Sequence, residues 1–304
     1  MREKGGSGYG AVADVAQRLA VLLGAGVPPA AAWGYLGPVG MRVAAAIEAG
    51  ADAAGAIRAE ATSASDRRAW AAIAAAWQIA TDAGAPLAAT LREFAAALRS
   101  LEQIERNVAS ALAAPRATAR MVMVLPAVGI MFGAVLGFNT VGVLVTTPAG
   151  LACLATGGAL MLVARGWNRR LVAAAKPDGS IAGLRLDLTA IAVAGGSSLE
   201  RASLAVDRAL LSAELGTTAD DAATVDSVLD LARRAGVPAA ELLRSEADQS
   251  RRKVATQAER RASILAVRLM LPLGLCILPA FMILAVVPLL IAVVSSTIGS
   301  GLAQ

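Results

Sequence analysis

The sequence predicts an all-α membrane protein with three transmembrane helices and two cytoplasmic helical-bundle domains, about six helices in the first. Three observations carry this prediction. Hydrophobic residues make up 57 % of the 304-residue chain and the mean hydropathy is +0.61, above the ~45–50 % apolar content of soluble domains. Residues 121–164 and 269–304 contain no charged side chain, and one transmembrane helix needs about 20 apolar residues. Elsewhere apolar residues recur at steps of three and four, the spacing of a helix face, with no useful period-two pattern.

Taken in order, residues 1–10 are polar and Gly-rich and form a flexible N-terminus. The apolar stretch that follows is interrupted by Asp14, Gln17 and Arg18, so no signal-peptide core is present and the N-terminus is expected to stay in the cytoplasm. Residues 11–119 form the first helical domain. Val12, Val15, Leu19 and Leu22 share a face, as do Trp70, Ile73 and Trp77. The longest stripe runs through Leu87, Leu91, Phe94, Leu98, Leu101, Ile104, Val108 and Leu112, with Arg92, Glu93, Arg99, Glu102, Glu105 and Arg106 off it. Gly- and Pro-rich punctuation at 24–29, 37–40, 50, 63–66 and 84–86 marks helix ends. Residues 120–164 hold two spans and a short external turn marked by Asn139, Thr140, Thr146, Thr147 and Pro148. Residues 165–268 form the second helical domain, with helices over Leu184 to Ile191, Leu199 to Leu211, Val225 to Ala235, and from Pro238 onward. Residues 269–294 are the third span and 295–304 an external tail.

Charge placement orients the chain. Arg116 and Arg120 precede the first span. Arg165, Arg169, Arg170 and Lys176 follow the second, and Arg251, Arg252, Lys253, Arg260, Arg261 and Arg268 precede the third. The positive-inside rule places both helical domains in the cytoplasm, with the turn and the C-terminus outside. The net charge of +5 is thereby assigned to membrane lipids, and nucleic acid is not needed as a partner.

The two helical segments carry an internal repeat. Ala83-Gly84-Ala85-Pro86 aligns with Ala235-Gly236-Val237-Pro238, and Leu91-Arg92 with Leu243-Arg244. One residue out of register, Leu125-Pro126-Ala127 aligns with Leu278-Pro279-Ala280. Gly84 and Gly236 suit the residue after a helix, and Pro86 and Pro238 the first turn of the next. In the first span Gly129, Gly133 and Gly137 repeat every four residues, which permits close helix contact. Pro126, Pro272, Pro279 and Pro288 are expected to kink or shorten spans.

Catalytic chemistry is not indicated. The chain has no histidine, the commonest general base and metal ligand. Cys153 and Cys276 stand alone in apolar runs, and no phosphate-binding loop exists among only three lysines, Lys4, Lys176 and Lys253. No metal or cofactor is expected. No charge lies within a span, which disfavours an ion or proton pathway. The acidic residues Asp82, Glu93, Glu102, Glu105, Asp220, Asp221, Asp226 and Asp230 fit solvated helix faces better than a catalytic carboxylate pair.

The order helical domain, two spans, helical domain, one span resembles the F-domain family of type II secretion and type IV pilus assembly. The segment Ala-Gly-Ala-Pro-Leu at 83–87, the Leu91-Arg92 pair and Leu-Pro-Ala within a span carry the likeness. Specifically the chain is similar to inner-membrane platform proteins of Tad (Flp) pili, over residues 11–294. The second domain departs from the first where Gly195-Gly196-Ser197-Ser198 replaces Gly24-Ala25-Gly26-Val27, and residues 212–223 are shortened and polar. The resemblance implies a non-enzymatic, oligomeric scaffold in the bacterial cytoplasmic membrane. Its partners would be a cytoplasmic secretion ATPase, pilin subunits, and itself or a paralogous platform protein. The rival expectation is a membrane subunit of a small transport or channel complex driven by a separate ATPase.

Overall fold

Helix α5 (Ala64–Ala83) sets the core of the polar part of the molecule. From Ala69 to Trp77 every residue is at most 6 % exposed, so this helix has no polar face and must be covered all round. The computed structural model, which describes residues 8–61, 64–135, 140–174, 181–216, 219–288 and 290–291, covers it with helices from both halves of the chain. Helices α1 (Gly8–Gly24), α2 (Pro29–Gly34), α3 (Gly37–Glu48) and α4 (Ala53–Ala59) precede it. Of these, α1 and α4 pack on α5, and Trp33 of α2 meets Trp77 with ring centroids 5.8 Å apart. From the second half, α9 (Leu184–Ala194) and α10 (Leu199–Ser212) pack on it too. At Gly195 an added Cβ would lie 2.5 Å from the Ala83 carbonyl oxygen, so a larger residue would part the two helix ends.

The helical segments read from sequence as two domains therefore belong to one unit, Met1–Asn107 with Pro177–Gln257. Its remaining parts are α6 (Leu87–Val135) as far as residue 107, α11 (Ala219–Ala235), and α12 (Ala239–Arg268) as far as residue 257. A second cluster inside this unit joins Leu186 and Ala190 of α9, Val225, Val228 and Leu229 of α11, and Leu243 and Ala247 of α12.

Three helix joints recur in the same order in the two halves. Gly26 (φ 87°) closes α1 and Gly196 (φ 90°) closes α9. The next residues, Val27 and Ser197, donate back to Leu22 and Ala192 carbonyls, each at 3.1 Å. Gly50 (φ 85°) closes α3 and Glu214 (φ 53°) closes α10. Gly84 (φ 71°) closes α5 and Gly236 (φ 66°) closes α11. Each is the left-handed residue of a Schellman-type stop. Pro86 and Pro238 stand at the N-cap rather than inside the first turn, since their carbonyls accept the first helical bonds from Thr90 and Leu242. Among the described residues the second half has four helices against six in the first: α10 replaces α2 and α3, and α4 has no counterpart.

The second unit comprises Val108–Lys176 and Ala258–Gln304. Besides the ends of α6 and α12 it holds α7 (Thr140–Thr146), α8 (Pro148–Ala174), α13 (Met270–Pro272) and α14 (Leu278–Phe281). Helix α7 lies where only a turn was expected; its Leu144 is buried, and the Thr146 hydroxyl donates to the Gly142 carbonyl at 2.7 Å. Two π-helical segments, Leu273–Ile277 and Met282–Val286, flank α14. Each ends two residues before a proline, Pro279 or Pro288. Proline lacks an N–H and its ring collides with the carbonyl four residues back, and a widened turn relieves that collision.

Two stretches among the described residues are long and apolar enough to cross a membrane, Pro148–Leu171 and Ala239–Val286. Only 17 % of the apolar window of the first is buried, unlike a soluble core helix. The first expected span falls on the end of α6 and on residues 136–139, which lie outside the described residues.

The joints give a stability test with opposite signs at equivalent places. A left-handed backbone costs a non-glycine residue about 1 kcal/mol, and no side chain crowds Gly50. Glu214→Gly should raise the thermal midpoint of the detergent-solubilised protein, and Gly50→Ala should lower it. Circular dichroism melts check both signs.

Candidate functional site

Helix α12 carries Arg244, Asp248 and Arg251 at steps of four and three, which places them on one face. Asp187 belongs to the sequence Leu-Arg-Leu-Asp-Leu-Thr-Ala-Ile of α9, whose Leu186, Leu188, Ala190 and Ile191 are buried. The carboxylate is drawn inside with them. Arg251, itself only 6 % exposed, donates from Nη1 to Asp187 Oδ2 at 2.6 Å and from Nη2 to Asp248 Oδ1 at 2.7 Å. Two turns before Arg251, Arg244 Nε lies 2.9 Å from Glu93 Oε2 on α6, and its Nη1 donates to Glu241 at 3.0 Å. The network thus ties α6, α9 and α12 together around a cavity of about 230 Å³, which Thr90, Phe94 and Ile191 also line.

Burial pushes the Asp187 carboxyl up to about 6, against the pull of Arg251, and the charges of Asp248 and Glu93 add to the rise. Burial also works against the Arg251 charge, but Asp187 and Asp248 hold its pKa above the ordinary value. Both carboxylates are committed to a guanidinium. The arrangement can fix the register of three helices and respond to protonation, and it presents no nucleophile beside a free base.

Of the acidic residues singled out from sequence, Glu93 alone lines this cavity. Glu102, largely buried, pairs with Arg106, Asp230 forms a helix-surface pair with Arg234, and Asp82 and Asp226 are exposed. Sequence reading missed Asp187, Asp248 and the pairing roles of Arg244 and Arg251. The signal was a lone carboxylate between buried leucines of α9, where Arg185 is taken by Asp207, matched by an Arg on a charged face elsewhere.

In the second unit the third apolar helix touches two others through glycine. At Gly129 an added Cβ would lie 2.7 Å from Ala285 Cβ and 3.1 Å from Phe281 Cε2. At Gly157, which sequence reading did not single out, it would lie 2.4 Å from Leu284 Cγ. Further along α8, Ala164 packs with Cys276 and Ile277. The pairing of 157 with 284 and of 164 with 276–277 makes α8 and this helix antiparallel. Pro279 lies in the first turn of α14 and Pro272 is buried. Gly137 lies outside the described residues, as do the surroundings of Gly133, Pro126 and Arg116. Arg120, Arg165, Arg169, Arg170, Arg260, Arg261 and Arg268 are all exposed.

Comparison with protein-family models, with curated proteins and with solved structures gives no match.

Two predictions follow from these sites. A carboxyl with a folded pKa near 6 and an ordinary value of 3.8 stabilises the fold fully below pH 4, and that contribution is lost as pH rises through 6. The loss is roughly 3 kcal/mol at most. Asp187→Asn should flatten the fall in stability between pH 4 and 6.5, as read by urea unfolding across that range; an unchanged slope would assign it to other groups. In the second unit, Gly157→Leu should lower the detergent-solubilised protein's melting temperature by several degrees, while the same change at Gly158, where nothing lies within 4 Å, should be tolerated.

Proposed function

We propose that this protein is an inner-membrane platform of a Tad or type IV-like pilus, or of a type II secretion machine. In this reading it couples a cytoplasmic assembly ATPase to the extraction of pilin subunits and to fibre assembly. It crosses the membrane three times, with the N-terminus in the cytoplasm and the C-terminus outside.

The observation that carries the reading is the repeated plan of the chain. In each half a short helix stops at a left-handed glycine, Gly84 or Gly236, and a long helix then begins. Helix α6 runs from residue 87 to residue 135, and α12 runs to residue 268 with helical structure resuming at once. Each long helix starts among the polar helices of the first unit and ends among the apolar helices of the second. A helix is a stiff element that transmits axial displacement and rotation. Two of them, cross-tied by Glu93 and Arg244, suit a part that converts motion of a partner into motion within the bilayer. The rival transport reading would need polar groups lining a path, and residues 121–164 offer no charged one.

The test is capture of the secretion ATPase encoded nearest the gene by the detergent-solubilised full-length protein under crosslinking. The expected result is specific capture that Glu93→Arg weakens and the double change Glu93→Arg with Arg244→Glu restores in part. No capture by folded wild-type protein would overturn the platform reading.

A further inference from the structure

Charge is divided very unequally between the two units. The second, Val108–Lys176 with Ala258–Gln304, carries nine basic side chains and one acidic one, Glu259, a formal charge of +8. The first carries 19 basic and 22 acidic side chains, a formal charge of −3. The ion pairs described above all lie in the first unit. Among the described residues Arg120, Arg165, Arg169, Arg170, Arg260, Arg261 and Arg268 have no ion-pair partner.

Arg165 and Arg169 are one turn apart on α8, a spacing at which like charges repel. The antiparallel contact at Ala164 with Cys276 fixes where they lie relative to α12. From that level Arg170 is about 9 Å along α8 and Arg268 about 12 Å back along the other helix, toward the same end. Exposed apolar surface borders and interleaves this charge: Val163, Met270 and Leu271 are 57 %, 68 % and 62 % exposed, and Ile264 and Val267 lie between Arg261 and Arg268 with 52 % and 66 % exposed. Trp167, partly exposed, sits between Arg165 and Arg169, and tryptophan favours the membrane–water interface.

We propose that this basic end is a binding surface selective for anionic phospholipids, whose phosphodiester oxygens accept charge-assisted hydrogen bonds from the guanidinium groups. Charge of a single sign attracts counter-anions, and arginines set among exposed apolar side chains match the amphipathic chemistry of a phospholipid better than that of a polyanion in water. The inference rests on the membrane reading above and is independent of the platform role.

The experiment is lipid titration of the full-length protein in neutral detergent, read by native mass spectrometry. Phosphatidylglycerol is compared with phosphatidylcholine of the same acyl chains, and inorganic phosphate serves as competitor. Phosphatidylglycerol should bind at least tenfold more tightly. Changing Arg165, Arg169 and Arg170 to Gln should weaken it by about fivefold per arginine, and the corresponding Lys variant should keep most of the preference. Equal binding of the two lipids, an equal loss in the Gln and Lys variants, or displacement of the lipid by inorganic phosphate would overturn the proposal. Protein that stays soluble without detergent would overturn the membrane reading itself, whereas a detergent-dependent protein without lipid preference would overturn this proposal alone.

Discussion

The absence of a polar face on α5 constrains the whole first unit. A nine-residue stretch of alanines broken by Trp70, Ile73 and Trp77, each at most 6 % exposed, cannot be half covered without leaving apolar surface in water. Burial stabilises by about 25 cal/mol per Å², so any arrangement that exposed one side of α5 would be disfavoured. Helices α1 and α4 are local in sequence and cover part of it. The rest falls to α9 and α10, which follow only after more than eighty intervening residues. One core is thereby built from two segments separated by an apolar passage. Alanine suits this role because its small side chain lets helices approach closely while costing no rotamer entropy.

Most helices were legible from punctuation. Glycines at 26, 50, 84, 196 and 236 all take positive φ, and the matching Gly84 and Gly236 joints were visible as a motif. The joint at Glu214 was not, because its left-handed backbone is occupied by a residue type that gives no warning. The union of the two helical segments was also not legible. Amphipathic periodicity says that a helix has a partner but not which one, and the uninterrupted burial of α5 becomes meaningful only when its neighbours are known. Helix α7 was hidden for a simpler reason, since a threonine whose hydroxyl bonds the carbonyl four residues back can sit inside a helical turn rather than end it.

The charge network around Arg251 shows the limit for sites. Counting carboxylates on solvent-facing stripes brought out Glu93 but passed over Asp187, whose neighbours are apolar. That setting makes Asp187 unusual: a buried carboxylate is costly unless paired, so its presence inside α9 already implies a cation from elsewhere. Which of the chain's 28 basic residues supplies it depends on the packing of α12 against α9. Such a pair contributes little net stability compared with apolar substitutes, and its recognised value is to fix register. Here it sets α12 against α9, and Arg244 with Glu93 sets α12 against α6. Both contacts concern the long helices that leave this unit.

The same economy of specific contacts governs the apolar unit, through proline. Pro279 and Pro288 each remove a backbone donor and crowd the carbonyl four residues earlier, and the turns before them open into π-helix. In lipid an unpaired backbone group is expensive, so widening the turn retains bonding that a simple break would lose. The second widened segment holds Leu284 and Ala285, the residues that seat against Gly157 and Gly129. Proline, π-turn and glycine therefore form one chain of cause: the proline opens the turn, the opened turn carries two side chains, and the glycines leave room for them. Contacts of this kind are close but carry no side-chain hydrogen bond. They hold the helices by shape alone, and side chains seated in glycine notches oppose sliding as well as separation.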